Sequence, residues 1–334
     1  MQYLKKSLLT GITMILLVAA IAGSEDVIIG AREGLDLCVQ VIIPSIFPVL
    51  FLSMLMCNYS NGVTIPVLTP LCKLTGIPKH CQQILILSMI GGYPVGAQAV
   101  VSAHRDKVIN TETARRLLGF CNNAGPAFIF GLLGTVFQNK QALVCLWLIH
   151  IGSALIVGML LPGKSSCNTV PLHAKSQNVT ATLKTALQVT SMICGWVILF
   201  RILLSLLNRS LQALPITLRV ILSGILELSN GCLGLREIQN EYLQFMIASV
   251  FLAVGGICVL LQTWSVVDHV GFGAILYGKL LQTILSILFS SLACPILYHV
   301  PFRFVTIIIS AGSIVGIIAL LNKKSSSIIY KNAV

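Results

Sequence analysis

Residues Gln82 to Phe137, QQILILSMIGGYPVGAQAVVSAHRDKVINTETARRLLGFCNNAGPAFIFGLLGTVF, are apolar enough to lie in a bilayer, yet both apolar parts are interrupted at their centres. The first carries Gly91-Gly92-Tyr93-Pro94-Val95-Gly96 and the second Asn122-Asn123-Ala124-Gly125-Pro126. Gly and Pro break helices, and Asn side chains are costly in hydrocarbon. A helix built only to anchor a chain would avoid all three. Backbone that leaves the helix at membrane depth is tolerated where it lines a cavity or is buried in protein. Interrupted segments therefore point to the binding site of a transporter.

Composition agrees with an all-α polytopic membrane protein. Of 334 residues 56% are hydrophobic and 10% charged, where a soluble domain carries roughly 25% charged residues. The mean hydropathy is +0.92. Lys and Arg number 22 against 10 Asp and Glu. In short loops such an excess sets orientation in the membrane, and no interleaving of basic and aromatic residues suggests a nucleic-acid groove. Most of the eleven cysteines stand in apolar runs, where Cys behaves as a small hydrophobe. Cys57, Cys72, Cys81 and Cys167 are expected in loops, with nothing to favour a disulfide. No Cys-x-x-Cys, His-Glu-x-x-His, Gly-x-Ser-x-Gly, Walker A or paired-acid pattern is present, so neither a cofactor nor an enzymatic activity is expected.

Met1 to Gly23 reads as a cleaved signal peptide with a small-residue site near Ala22, or as a retained first helix. The many spans that follow favour retention. Ser24 to Glu33 is a polar link. Gly34 to Met56 is a span, kinked or broken at Pro44 and Pro48, and the connector to Cys81 has room for an interfacial helix. The interrupted pair follows, then a span at Gln141 to Leu161 and a polar linker to Thr182. The second half repeats this order. Leu183 to Leu207 is a span, Leu214 to Leu235 is broken around Glu227-Leu228-Ser229-Asn230-Gly231, and Phe245 to Trp264 carries Gly255-Gly256 at its centre. Val270 to Leu292, Phe302 to Leu321 and a basic tail with Lys323, Lys324 and Lys331 complete the chain. The units are an N-terminal helix and link at 1–33, a first repeat at 34–161, a cytoplasmic linker at 162–182, a second repeat at 183–292, and a last helix and tail at 293–334.

In the repeat, Val39-Gln40-Val41 matches Leu187-Gln188-Val189. Gly92 to Gly96 falls on Glu227 to Gly231, and Ala124-Gly125-Pro126 falls on Val254-Gly255-Gly256. Loop charge tests the topology. If every apolar segment crosses, ten basic residues fall on each side, which is no bias. If the segments near 82–102 and 214–235 are re-entrant hairpins, fourteen fall inside and six outside. The positive-inside rule prefers the second arrangement, with about eight full spans. The halves then run in opposite senses, as inverted repeats require. Its weak point is Arg209, Arg219 and Arg236, left outside.

Gly92-Tyr93-Pro94-Val95-Gly96-Ala97 and Glu112-x-x-Arg115-Arg116-Leu117-Leu118-x-Phe120-Cys121-Asn122-Asn123-x-Gly125-Pro126 closely resemble the YlbJ/SpoVV-type sporulation integral membrane proteins. So do Gly224-x-x-Glu227-Leu228-x-x-Gly231 and Gly255-Gly256-x-x-Val259-x-x-Gln262. The resemblance runs over roughly 35–320 and extends to the wider group with a nucleoside-recognition gate domain. It implies a role in endospore-forming bacteria, similar to transport of dipicolinate from the mother cell towards the forespore. It also implies a membrane of mother-cell origin around the forespore, with both termini cytoplasmic. The gate group resembles the concentrative nucleoside transporters, which use two re-entrant hairpins in inverted repeats. A nucleoside carrier and a non-transporting scaffold are the alternatives, and homo-oligomers are left open.

The candidate substrate-binding residues are Gly92, Tyr93, Pro94, Gly96, Asn122, Asn123, Gly125, Ser229, Asn230, Gly231, Gly255, Gly256 and Gln262. Glycines let backbone approach a ligand, and helix N-termini suit a carboxylate; the bland alternative is close helix packing through small residues. Of the two adjacent Asn residues, about 100° apart on a helix, only one can point into a cavity. One ligand contact and one structural bond is the expected split. Glu227, an acid within an apolar segment, is the candidate for a coupling ion. Its alternative is a structural pair with Arg201 or Lys279. The six His residues are scattered.

Overall fold

The computed structural model describes residues 2–59, 64–161, 178–267, 270–298, 312–314 and 316–317. Most of the 162–182 linker, nearly all of the segment expected at 302–321, and the basic tail lie outside the described residues. All regular structure among the described residues is helical. Five helical stretches are long and apolar enough to cross a bilayer, at Ser24–Tyr59, Lys140–Leu160, Val179–Asn208, Glu241–Val267 and Phe272–Leu297. The chain is a multi-pass membrane protein.

Helix α1 covers Gln2–Ala22 and α2 covers Ser24–Leu37. The expected polar link is thus helical, and the second span begins ten residues earlier than its hydropathy suggests. Glu25 and Asp26 stand in the first turn of α2, where the helix dipole favours acids. Gly30-Ala-Arg-Glu-Gly34 is a small-xxx-small stripe that lays α2 on α9 (Val179–Gln212). A Cβ on Gly30 would fall 2.8 Å from the Ile202 Cα, and one on Gly34 2.9 Å from the Ile198 Cα. The chain stays helical through the expected break. Cys38–Ile42 winds as a π turn just ahead of Pro44, and α3 (Ile43–Tyr59) contains Pro48. Wider winding beside a proline absorbs the missing N–H without ending the helix.

After a short helix α4 (Thr69–Thr75) come α5 (Gln82–Met89) and α6 (Val95–Arg105). In the second half α10 is Ile216–Leu226 and α11 Leu228–Gly234. At about 1.5 Å per residue none of these four exceeds ~17 Å, little more than half the hydrocarbon thickness of ~30 Å. Each pair folds back as a hairpin. A Cβ on Gly96 would collide with the Cys121 carbonyl and stand 2.9 Å from the Ser88 Cα, and one on Gly231 would collide with the Gly224 Cα. Only glycine permits legs this close.

The polar ends show where the hairpins open. From α7 (Thr111–Leu118), Arg116 donates to the Thr75 carbonyl at 2.6 Å and to the Gly158 carbonyl at 2.6 Å. Residues on both sides of the first hairpin therefore meet at the C-terminal end of α8 (Lys140–Leu160). Arg219, at the start of α10, pairs with Glu237 just past α11. Arg236 donates to the Thr135 carbonyl at 2.8 Å, close to the N-terminal end of α8. The two hairpins open at opposite ends of α8.

Two further segments run between those ends and are interrupted midway. One passes from α7 through irregular backbone to a π turn at Ala127–Leu132. The other is α12 (Glu241–Val254) followed by α13 (Gly256–Val267). Helix α14 (Phe272–Leu297) packs against α8 and α12.

Candidate functional site

The four interruptions meet. Gly92, Gly255 and Gly256 hold φ of +78°, +83° and +75°, a region costly for any side chain. A Cβ on Gly125 would fall 2.7 Å from the Ile90 carbonyl oxygen and 3.1 Å from the Gly92 nitrogen. The first hairpin tip thus rests backbone-on-backbone upon the 122–126 break. A Cβ on Gly256 would lie 2.8 Å from the Gly224 carbonyl oxygen, so the second hairpin rests likewise on the 255–256 break. The Tyr93 hydroxyl joins the halves by donating to the Leu252 carbonyl at 2.7 Å.

Between the tips lies a cavity of about 50 Å³. Its wall includes Gly91, Gly92, Tyr93, Gly125, Glu227, Ser229 and Gln262, and the remainder is apolar. At roughly 10–15 Å³ of such space per water it admits a few waters and no organic solute.

Glu227 is 2% exposed and caps α11. One carboxylate oxygen accepts from the Ser229 N–H at 2.9 Å and the other from the Asn230 N–H at 2.7 Å. The helix N-terminus that the sequence offers to a ligand carboxylate is filled by the chain's own carboxylate. Neither expected cation pairs with it. Arg201 pairs with Glu33 at 2.8 Å and donates to the Asn230 side-chain carbonyl.

Lys279, buried in α14, faces the first tip. Its ammonium donates to the Tyr93 hydroxyl at 2.8 Å and to Gln282 Oε1 at 3.1 Å, and stands 4.6 Å from the centre of the Tyr93 ring. Among the described residues no carboxylate pairs with it. Gln282 Nε2 donates to Asn123 Oδ1 at 3.0 Å and to the His150 carbonyl at 3.2 Å. Asn123 Nδ2 donates to the Phe120 carbonyl at 2.7 Å, and His150 Nε2 accepts from the Ala124 N–H at 2.9 Å. Irregular backbone at the break is thereby held by side chains from α8 and α14, as buried peptide groups require.

The other candidate residues stand behind the cavity wall. Pro94 begins the turn into α6, after a cis peptide bond from Tyr93. Gly96 and Gly231 are the hairpin-leg contacts, and Gly255 and Gly256 form the second break. Asn122 Nδ2 donates to Thr263 Oγ1 at 2.9 Å, while its buried Oδ1 has no partner. Both Asn residues make internal bonds, and of the two only Asn122 keeps a buried acceptor unpaired among the described residues. Asn230 borders a separate cleft. Lys279, Gln282 and His150 are the residues the sequence does not single out as a site. The available signal is Lys-x-x-Gln in an apolar run, two polar side chains three apart on one helix face.

These features define a multi-pass helical membrane protein with interrupted helices gathered round a buried centre. No family model matches the chain, and no solved structure matches it. Among curated proteins it is similar to the sporulation integral membrane protein YlbJ of Bacillus subtilis (strain 168), at 25% identity with 82% of this chain and 80% of that protein covered. The match bears out the YlbJ-type resemblance carried by the motifs.

Proposed function

We propose that this protein is a secondary transporter or facilitator of a small organic anion, dipicolinate during endospore formation, and not an enzyme. The observation that carries the reading is the convergence of four helix interruptions on one buried centre, the arrangement by which transporters build midplane sites. Lys279, a buried cation with no carboxylate partner among the described residues, is the group for an anion to engage. In this reading the hairpins are re-entrant, one from each side of the membrane, within inverted repeats. The 111–135 crossing joins the five long helices, and α1 and the 302–321 segment bring the spans to eight. Both termini are cytoplasmic, and the membrane is the mother-cell-derived one around the forespore. Glu227 is the coupling group. Protonation would remove charge from the second tip and loosen its hold on Ser229 and Asn230. Transport requires a hairpin to move, since the cavity of about 50 Å³ is closed to solutes.

The internal bonds of Asn122 and Asn123 and the small cavity favour a second reading, a membrane scaffold in a sporulation complex. Dipicolinate uptake into proteoliposomes across a pH gradient separates the two. The carrier reading expects uptake by the wild type, reduced at least tenfold by Lys279→Met and by Glu227→Gln while folding is retained. Absence of uptake of dipicolinate, other small anions or nucleosides by folded wild type would leave the scaffold.

A further inference from the structure

At the end where the second hairpin opens, α2, the last turns of α9, α10 and α11 enclose a polar cleft of about 480 Å³. The central cavity is near one tenth of that size. Two ion pairs line the cleft, Arg201 with Glu33 and Arg219 with Glu237. In both the carboxylate is the freer partner: each Glu side chain is 49% exposed, against 33% for Arg201 and 26% for Arg219. Exposed pairs of this kind are weak, and a Glu can swing to water at little cost.

Ser205, Ser223, Asn208 and Gln212 add neutral polar groups to the wall, and its cations are Arg201 and Arg219. Asn230 is 5% exposed. Its carbonyl is taken by Arg201, and its amide Nδ2 is buried without a hydrogen-bond partner. A buried amide needs an acceptor. With the Glu side chains turned away, the two guanidinium forks are the charged groups left on the wall, beside the Asn230 side chain. That set matches carboxylate oxygens, which guanidinium binds through paired N–H groups.

We propose that this cleft binds a small organic anion, whose carboxylates take the Asn230 amide and replace Glu33 and Glu237 on Arg201 and Arg219. The choice of anion rests on the carrier reading, while the site itself depends on binding and not on flux. Asn230 belongs to α11, whose first turn Glu227 caps at the central cavity. An anion in the cleft therefore touches the helix that would have to move.

The test is calorimetric titration of dipicolinate into the full-length protein in detergent micelles. Saturable, salt-sensitive binding is expected, weakened about tenfold or more by Arg201→Gln and Arg219→Gln. Those variants can lose affinity by misfolding, so the deciding pair is Glu33→Gln and Glu237→Gln. Removing the resident carboxylate tightens binding about threefold or more if the anion exchanges with it, and misfolding cannot mimic a gain. Unchanged or weakened binding in both Glu variants would overturn the proposal, as would no binding by folded wild type. Equal binding of inorganic phosphate would overturn the assignment to carboxylates. Cleft binding without proteoliposome uptake would sink the carrier reading alone, and uptake without cleft binding would sink this site alone.

Discussion

Arg116 gathers the carbonyls of two helix ends. Its guanidinium reaches Thr75 at the end of α4 and Gly158 and Leu161 at the end of α8, groups left unpaired by the helices themselves. Gly76 makes room, since a Cβ there would lie 2.8 Å from the Arg116 Nη1. Lysine cannot reproduce this fork. Arg116→Lys is expected to cost roughly 2–4 kcal/mol, read as a lower melting temperature in detergent. Cys72, outside the spans and fully buried, has its thiol pushed up by burial to about 11. At pH 8 only about one thiol in a thousand is ionised, so maleimide is expected to spare Cys72 until the protein unfolds. The sequence marks Asn122, Asn123 and Glu227 as costly in hydrocarbon, but cost does not tell a ligand contact from an internal bond. That distinction depends on the partners: Thr263 and Gln282, more than a hundred residues from the Asn pair, and the N–H groups of Ser229 and Asn230, two and three residues beyond Glu227.

At the scale of elements, the breaks in both hairpins and both interrupted crossings were legible, because Gly and Pro act locally. The close contacts of Gly96 with Ser88 and of Gly231 with Gly224 were not, because they depend on how the legs fold back. Gly231→Val is expected to destabilise by about 1–3 kcal/mol or more, since its Cβ meets backbone that cannot repack. Gly195→Ala, at a position with open space, is expected to leave stability within about 0.5 kcal/mol. Thermal melts of the two side by side check both. The start of the second span was misplaced because Ser24 to Glu33 is polar in hydropathy. The Gly30 and Gly34 stripe, four residues apart, carried the contrary signal.

For the molecule as a whole, the fourteen-to-six charge bias is a statement about hairpins and belongs to the topology proposed above. Arg219 and Arg236, counted against the bias, are both tied down, one by Glu237 and the other by the Thr135 carbonyl. They serve the packing at that end as well as orientation. Cysteines placed at Lys79 and at Lys107, which flank the first hairpin and are both exposed, are expected to react with an impermeant maleimide from the same side of the membrane. Labelling from opposite sides would remove the re-entrant arrangement. The helical, multi-pass character was legible through hydropathy, whereas the shared centre was not, since Tyr93, Leu252 and Lys279 lie far apart in the chain.

The carboxylate of Glu227 on the α11 N-terminus gives this protein a tethered competitor for any anion drawn to that helix end. Linked so closely, it acts at an effective concentration in the millimolar range or above. A solute must outbid it by abundance or by a proton that silences it. Under the carrier reading, weak apparent affinity then becomes a property of the fold itself.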